Sequence, residues 1–348
     1  MERKRTAVLV AGSWGTALAR VLADNGHEVR IWTRHPEQAE DINVRRRNAK
    51  FLPDAELPDA IRATADMAEA LKGAQLALFV APSAAMREVA RQAAPHLGKD
   101  TLVVHATKGF EAESLKRMST VLAEELGRDE KGIVCLSGPS HAEEVIFSLP
   151  TTVVVASLDS ACAEEAQDYF MNQSYFRVYT NPDLVGVEIS GAVKNVIALG
   201  AGLSDGLGFG DNAKAALITR GLAEIARLGA AMGANPLTYA GLAGVGDLIA
   251  TCTSKHSRNW RAGSMLAQGL PLQEVLDRMG MVVEGVRTTK FAYELAARYG
   301  VEMPITVQMH AVLFEGKSPA QAVGDLMGRV RTHEIEEIAT ASREKWLK

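Results

Sequence analysis

Over residues 1–181 the chain alternates short β-like runs with amphipathic helical stretches, and from Pro182 onward the β signal nearly stops. Strand candidates are Thr6–Val10, Glu28–Thr33, Leu76–Ala81, Thr101–His105, Ile133–Ser137, Thr152–Ala156 and Arg177–Tyr179. Between them lie helical stretches such as Thr16–Asn25, Ala84–His96 and Leu115–Leu126. That alternation predicts an α/β, doubly wound, mostly parallel sheet with helices on both faces. The second part reads as helices broken at Gly206–Asp211, Asn235-Pro236 and Gly269-Leu270-Pro271. We therefore expect one domain over residues 1–181 and an all-α C-terminal domain over 182–348.

Composition narrows the function classes. A chain of 348 residues suffices for about two domains, and 47% hydrophobic with 23% charged residues suits a globular protein with a sizeable core. Net charge is −4 and the densest basic cluster, Arg45-Arg46-Arg47, is too small to argue for nucleic acid. Cys135, Cys162 and Cys252 are odd in number, far apart and without a Cys/His cluster, so we expect no disulfide framework, no metal site and a reducing cytoplasm. The apolar run before Gly12 is too short for a signal core, and no uninterrupted apolar stretch has the length of a membrane span.

Chemistry is concentrated in a few segments. Lys194 sits inside Val185–Leu203, a run of Val, Ile, Leu, Ala and Gly that reads as a buried helix starting at Asn181 (N-cap) and Pro182. Burial disfavours a lysine's charged form, so an unpaired ammonium there is costly and its pKa moves toward acid/base use. The bland alternative is a lysine that snorkels to the surface. At the other end of the chain, Val8-Leu9-Val10-Ala11-Gly12-Ser13-Trp14-Gly15 runs from a strand through a Gly-rich turn into a helix. Such a turn binds a dinucleotide pyrophosphate on backbone N–H groups, with Gly12 admitting the phosphates and Gly15 permitting close helix–strand packing. Val10 stands where the fingerprint has its first glycine, and a β-branched residue makes the tight turn harder.

The next strand ends in Arg34 and His35, where an NAD-preferring site would carry an acid. Arg34 can pair with a 2′-phosphate, so NADPH is favoured over NADH. Lys108 and the Gly138–Ser140 segment follow strand ends, where open α/β sheets bind ligands. Asp247 follows a Gly-rich turn and reads at least as a helix cap. Ser257, Arg258 and Asn259 precede the helical run Trp260–Gln268, a natural phosphate site or else a plain N-cap.

Six segments in this order, Gly12–Gly15, Ala106–Gly109, Ser137–Ser140, Gly191–Asn195, Gly244–Asp247 and Ser257–Asn259, resemble the soluble bacterial NAD(P)-dependent glycerol-3-phosphate dehydrogenases. The resemblance runs from about residue 6 to 335. It implies a Rossmann-like nucleotide domain, a helical substrate domain, and interconversion of dihydroxyacetone phosphate and sn-glycerol 3-phosphate for phospholipid synthesis. It gives Lys194 the role of acid/base, with Lys108 adding positive potential. By the same resemblance Lys108, Gly138, Ser140, Lys194, Asn195, Asp247, Thr251, Ser257, Arg258 and Asn259 would line the substrate site. Gly12, Ser13, Trp14, Gly15, Arg34, His35, Phe51, Lys108, Ala142, Arg258, Val282 and Glu284 would face the cofactor. Phe51 stands where many members carry a tyrosine. A carboxylate near Lys194, such as Asp247, would favour the charged lysine against burial. Alternative readings are a related two-domain reductase of a 2-keto acid and a non-catalytic dinucleotide sensor. A small phosphorylated substrate is expected as ligand, and a homodimer is plausible from the apolar helical domain.

Overall fold

A computed structural model of the chain describes residues 3–330. Those expectations that reach to residues 335 and 348 run outside the described residues. The chain divides into two compact units, Met1–Leu184 and Val185–Lys348.

The first unit holds strands β1 (Arg5–Leu9), β2 (Glu28–Trp32), β3 (Ile61–Thr64), β4 (Leu76–Phe79), β5 (Leu102–His105), β6 (Ile133–Ser137), β7 (Thr151–Ala156) and β8 (Phe176–Asn181). They form one sheet in the order β3-β2-β1-β4-β5-β6-β7-β8. Every neighbouring pair is parallel except β6 and β7, which run antiparallel. The first six positions follow the doubly wound Rossmann order, with the change of direction beside β1. Helices α1 (Ser13–Asp24), α2 (Pro36–Val44), α3 (Met67–Leu71), α4 (Met86–Ala93), α5 (Met118–Leu126), α6 (Ala142–Val145) and α7 (Ser160–Phe170) connect the strands. Successive strand residues point to opposite faces. Val8, Ile31, Leu78, Val104 and Leu136 therefore enter one buried cluster with α1 and α7, while Leu9, Phe79 and Val103 enter another with α3, α4 and α5.

The second unit is helical: α8 (Leu184–Gly206), α9 (Gly210–Ala231), α10 (Asp247–Thr253), α11 (Arg258–Ala267), α12 (Leu272–Met279), α13 (Glu284–Tyr299), α14 (Pro304–Phe314) and α15 (Pro319–Met327). By length and composition α8 could cross a membrane, but 94% of its apolar window is buried inside the protein, which is the condition of a core helix. Helix α11 lies against α8 at backbone distance. A Cβ on Gly202 would stand 1.8 Å from Trp260 O, and one on Gly263 would stand 2.0 Å from Leu199 O.

Several sequence expectations need correction. Ile61–Thr64 is a strand that Ile-Arg-Ala-Thr scarcely advertises; edge pairing with β2 makes it one. Asn181 does not cap α8: it ends β8, its side chain accepts from Asp183 N at 2.8 Å, and the helix starts at Leu184. The stretch Ala84–His96 is a central α-helix flanked by two 3₁₀ turns, with Pro95 opening the second. The helix expected from Leu115 begins at Met118, because Leu115 takes a left-handed φ of 59°. The helix expected from Thr16 already begins at Ser13, and the one expected from Trp260 begins at Arg258.

Candidate active site

In the first unit the β1–α1 turn is built around a strained residue. Val10 has φ 87°, the left-handed region where a β-branched side chain is costly. Its N–H stays tied to Trp32 O at 3.0 Å, and its own carbonyl fills the space that a Cβ on Gly15 would need, 2.3 Å away. Gly15 is thus required by contact with the turn. A Cβ on Gly12 would meet nothing within 4 Å among the described residues, and none of their side chains caps the α1 N-terminus. Open space above a glycine, beside uncapped N–H groups at a helix start, fits a pyrophosphate. Ser13 and Trp14 lie half-buried in the first turn of α1, and Ser13 Oγ reaches Phe51 O at 3.5 Å. Arg34 is exposed just beyond β2, its Nε donating to His35 Nε2 at 3.1 Å.

Lys108 follows β5, and its Nζ donates to Gly138 O at 3.4 Å. Gly138, with φ 127°, packs against Val153 Cα, where a Cβ would stand 3.1 Å away. Ser140 Oγ donates to the same Gly138 carbonyl at 2.9 Å, and Ala142 is the buried first residue of α6. The structure thus gathers Lys108, Gly138 and Ser140 around one carbonyl.

In the second unit Lys194 is 4% exposed, so the surface-snorkelling alternative fails. Its Nζ donates to the Asp247 carboxylate and, at 2.5 Å, to Thr251 Oγ1. Thr251 Oγ1 donates onward to Asp247 O at 2.6 Å. Asp247 is 1% exposed and is the first helical residue of α10; Gly246 holds the N-cap position, which corrects the capping expectation. Its carboxylate faces Lys194 because the turn ahead of it, with Gly244 pressed on Tyr239 O, brings α10 against α8.

Ser257 caps α11, accepting from Trp260 N at 3.2 Å. Asn259 Nδ2 donates to Asn195 Oδ1 at 2.8 Å, and Asn259 Oδ1 accepts from Gly285 N at 2.8 Å. Asn259 thereby links α8, α11 and α13. Arg258 is exposed and donates from Nη1 to Val282 O at 3.2 Å, which ties the segment bearing Val282 and Glu284 to the start of α11.

The chain matches the family model for the N-terminus of NAD-dependent glycerol-3-phosphate dehydrogenase over residues 5–163, and that for its C-terminus over residues 183–324. The chain belongs to the NAD-dependent glycerol-3-phosphate dehydrogenase family. A relative from Bacillus velezensis, glycerol-3-phosphate dehydrogenase [NAD(P)+], is 59% identical over 96% of this chain and 97% of its own length. One of the same name from Geobacillus kaustophilus is 60% identical over 95% of this chain and 96% of its own. A crystal structure of glycerol-3-phosphate dehydrogenase from Coxiella burnetii superposes with a TM-score of 0.89 at 40% identity, covering 94% of this chain and 99% of that one.

Two residues of this dehydrogenase family member that the sequence did not point to hold the β1–α1 turn. Gln38 Nε2 donates to Ala11 O at 2.7 Å, and buried Asn48 donates to Ala11 O at 3.0 Å and Thr16 Oγ1 at 2.8 Å. In the second unit Asp205 accepts from Trp260 Nε1 at 2.7 Å and pairs with Lys214 at 2.9 Å, fixing α11 along α8. Gln38 and Asn48 stand among other polar residues and carry no signal in the sequence, whereas Asp205 is a lone acid near the end of an apolar run.

Proposed function

We propose that the protein catalyses the reversible NAD(P)H-dependent reduction of dihydroxyacetone phosphate to sn-glycerol 3-phosphate, which supplies the glycerol backbone of phospholipids. The observation that carries the mechanism is Lys194, buried in the apolar helix α8 yet hydrogen-bonded to Asp247 and Thr251. Residues 1–181 form the dinucleotide-binding domain and 182–348 the substrate and catalytic domain. Gly12, Ser13, Trp14 and Gly15 hold the pyrophosphate, and Arg34 with His35 receives the adenosine ribose. Phe51, Ala142, Val282 and Glu284 complete the cofactor's surroundings. Bound there, the nicotinamide supplies the hydride.

Reduction of a ketone builds negative charge on the carbonyl oxygen, and Lys194 as ammonium hydrogen-bonds that oxygen and gives it a proton. In the reverse direction the neutral amine takes the proton back. Asp247 favours the charged lysine, and Thr251 orients its Nζ. Lys108 adds positive potential, with Gly138 and Ser140 lining the substrate beside it. Arg258, Ser257, Asn195 and Asn259 bind the phosphate end, and that remote binding orients the carbonyl.

The test is NADPH absorbance decay in purified protein with dihydroxyacetone phosphate, repeated with NADH and with unphosphorylated dihydroxyacetone. Fast oxidation that needs the phosphate is expected, faster with NADPH because Thr33, Arg34 and His35, and no acid, stand at the end of β2. Equal rates with both cofactors would remove Arg34's role. Oxidation with simple 2-keto acids instead would move the protein to another reductase class. We also assign the enzyme to the cytoplasm, consistent with three free thiols, and to a homodimer, to be checked by light scattering.

A further inference from the structure

Arg87 on α4 carries a hydrogen-bond pattern that the reaction as described does not use. Its Nε and Nη2 grip Glu111 in a two-point fork, at 2.5 Å to Oε1 and 2.8 Å to Oε2. Its remaining donors reach Glu125 at 2.6 Å and Glu124 at 2.9 Å on α5. A guanidinium fork matched to a carboxylate fixes direction as well as distance, which a lysine cannot do.

Glu111 lies three residues beyond Lys108, in the loop that joins β5 to α5. On the strand side of Lys108 the chain is pinned by Thr107 Oγ1, which donates to Ala81 O at 2.6 Å. On the far side the loop folds back on itself. Phe110 bridges Arg117, Glu111 N donates to Lys116 O at 3.0 Å, and Leu115 N donates to Glu111 O at 2.9 Å. Phe110 and Leu115 bury their side chains, at 1% and 5% exposure. Ser114 donates to the Glu111 carboxylate as well, so the fork grips the folded loop as a unit. The arginine holds the Glu111 carboxyl below the usual carboxylate range, so the pair is ionised at neutral pH.

We infer that Arg87 is a positioning residue: through Glu111 it fixes the loop that carries Lys108, and so sets where the Lys108 ammonium stands beside Gly138. This rests on Lys108 serving the substrate, as proposed above. Arg87 and Glu111 act on the reaction only through that loop. A side chain held at both ends of a short segment keeps its charge in register with the substrate, and small displacements of such groups are expensive in rate.

The experiment compares Arg87→Lys, which keeps the charge facing Glu124 and Glu125 but loses the fork, and Glu111→Gln, which keeps the shape. Both are measured in otherwise intact protein and in a Lys108→Arg background. Expected is a fall of about five- to tenfold in kcat/KM for dihydroxyacetone phosphate in each. In the Lys108→Arg background the same substitutions are expected to add little, because groups acting through one another are non-additive. A merely structural pair would lower both backgrounds equally and move the melting temperature in step, and that result overturns the inference. So does kcat/KM within about twofold of the parent in both single variants. If Lys108→Arg alone keeps full kcat/KM, the substrate role of Lys108 is what has failed, and the inference falls with it.

Discussion

Lys194 gives up its hydration inside α8, and Asp247 with Thr251 replaces part of it. Breaking one partner of a buried pair leaves the other charge uncompensated. Lys194→Met is therefore expected to lower turnover by at least about 100-fold. It should also cost roughly 3 kcal/mol of stability, read by urea unfolding. Adding Asp247→Leu should recover much of that stability and none of the turnover; recovery of turnover would refute the acid/base role. Val10 is strained for a different reason, its left-handed φ of 87°. A glycine escapes the Cβ clash that an alanine keeps, so Val10→Gly should exceed Val10→Ala in stability by about 1 kcal/mol. The opposite order in thermal melts would mean that the turn is not left-handed in solution.

Among the elements, the α8–α11 contact sets where Arg258 and Asn259 stand. Gly202 and Gly263 meet backbone oxygens of the opposing helix, and Gly206 meets Ala267 Cβ, with room for no methyl group. The same substitution therefore has opposite signs in two helices. Gly202→Ala, whose Cβ would stand 1.8 Å from Trp260 O, should destabilise by about 1–3 kcal/mol despite the better helix propensity of alanine. Gly324→Ala in α15, where a Cβ meets nothing within 4 Å among the described residues, should stabilise by about 0.5–1 kcal/mol. Paired denaturation curves decide it, and equal signs would show that the glycine contact is not what holds the helices.

At the scale of the molecule, stability should carry a pH signature from one buried acid. Glu224 on α9 accepts from Ile305 N and Thr306 N and so caps α14 from a distance. Burial pushes its carboxyl up to about 7, above the 4.5 of the free side chain, while these hydrogen bonds pull the other way. The folded protein then holds a proton that the unfolded chain has released. The resulting stability is fully present below about pH 4.5 and is lost as pH rises through about 7. Its slope reaches at most about 1.4 kcal/mol per pH unit. Glu224→Gln should flatten that part of the profile between pH 5 and 7.5 in melts of the two proteins side by side. An unchanged difference across the range would place the titration elsewhere.

Much of this was legible before any fold was known. The change from period-2 to helical patterning near residue 181 announced a sheet and then a helical half, and Lys194 stood out because its neighbours are apolar. Gly15 was readable because a tight strand-to-helix turn makes local demands on the backbone, and Ser257 because a cap acts within three residues. The strand Ile61–Thr64 was not readable, since its pairing with β2 supplies what its residues lack. Nor were the partners. Asn195 meets Asn259 across 64 positions and Glu224 meets Ile305 across 81, and Thr251 joins Lys194 across 57; only Asp247, 53 positions from Lys194, was suggested beforehand as a nearby carboxylate. Periodicity and caps reflect forces between near neighbours in the chain, so sequence carries them directly. Which buried polar groups find each other depends on how helices pack, and only the folded chain decides that.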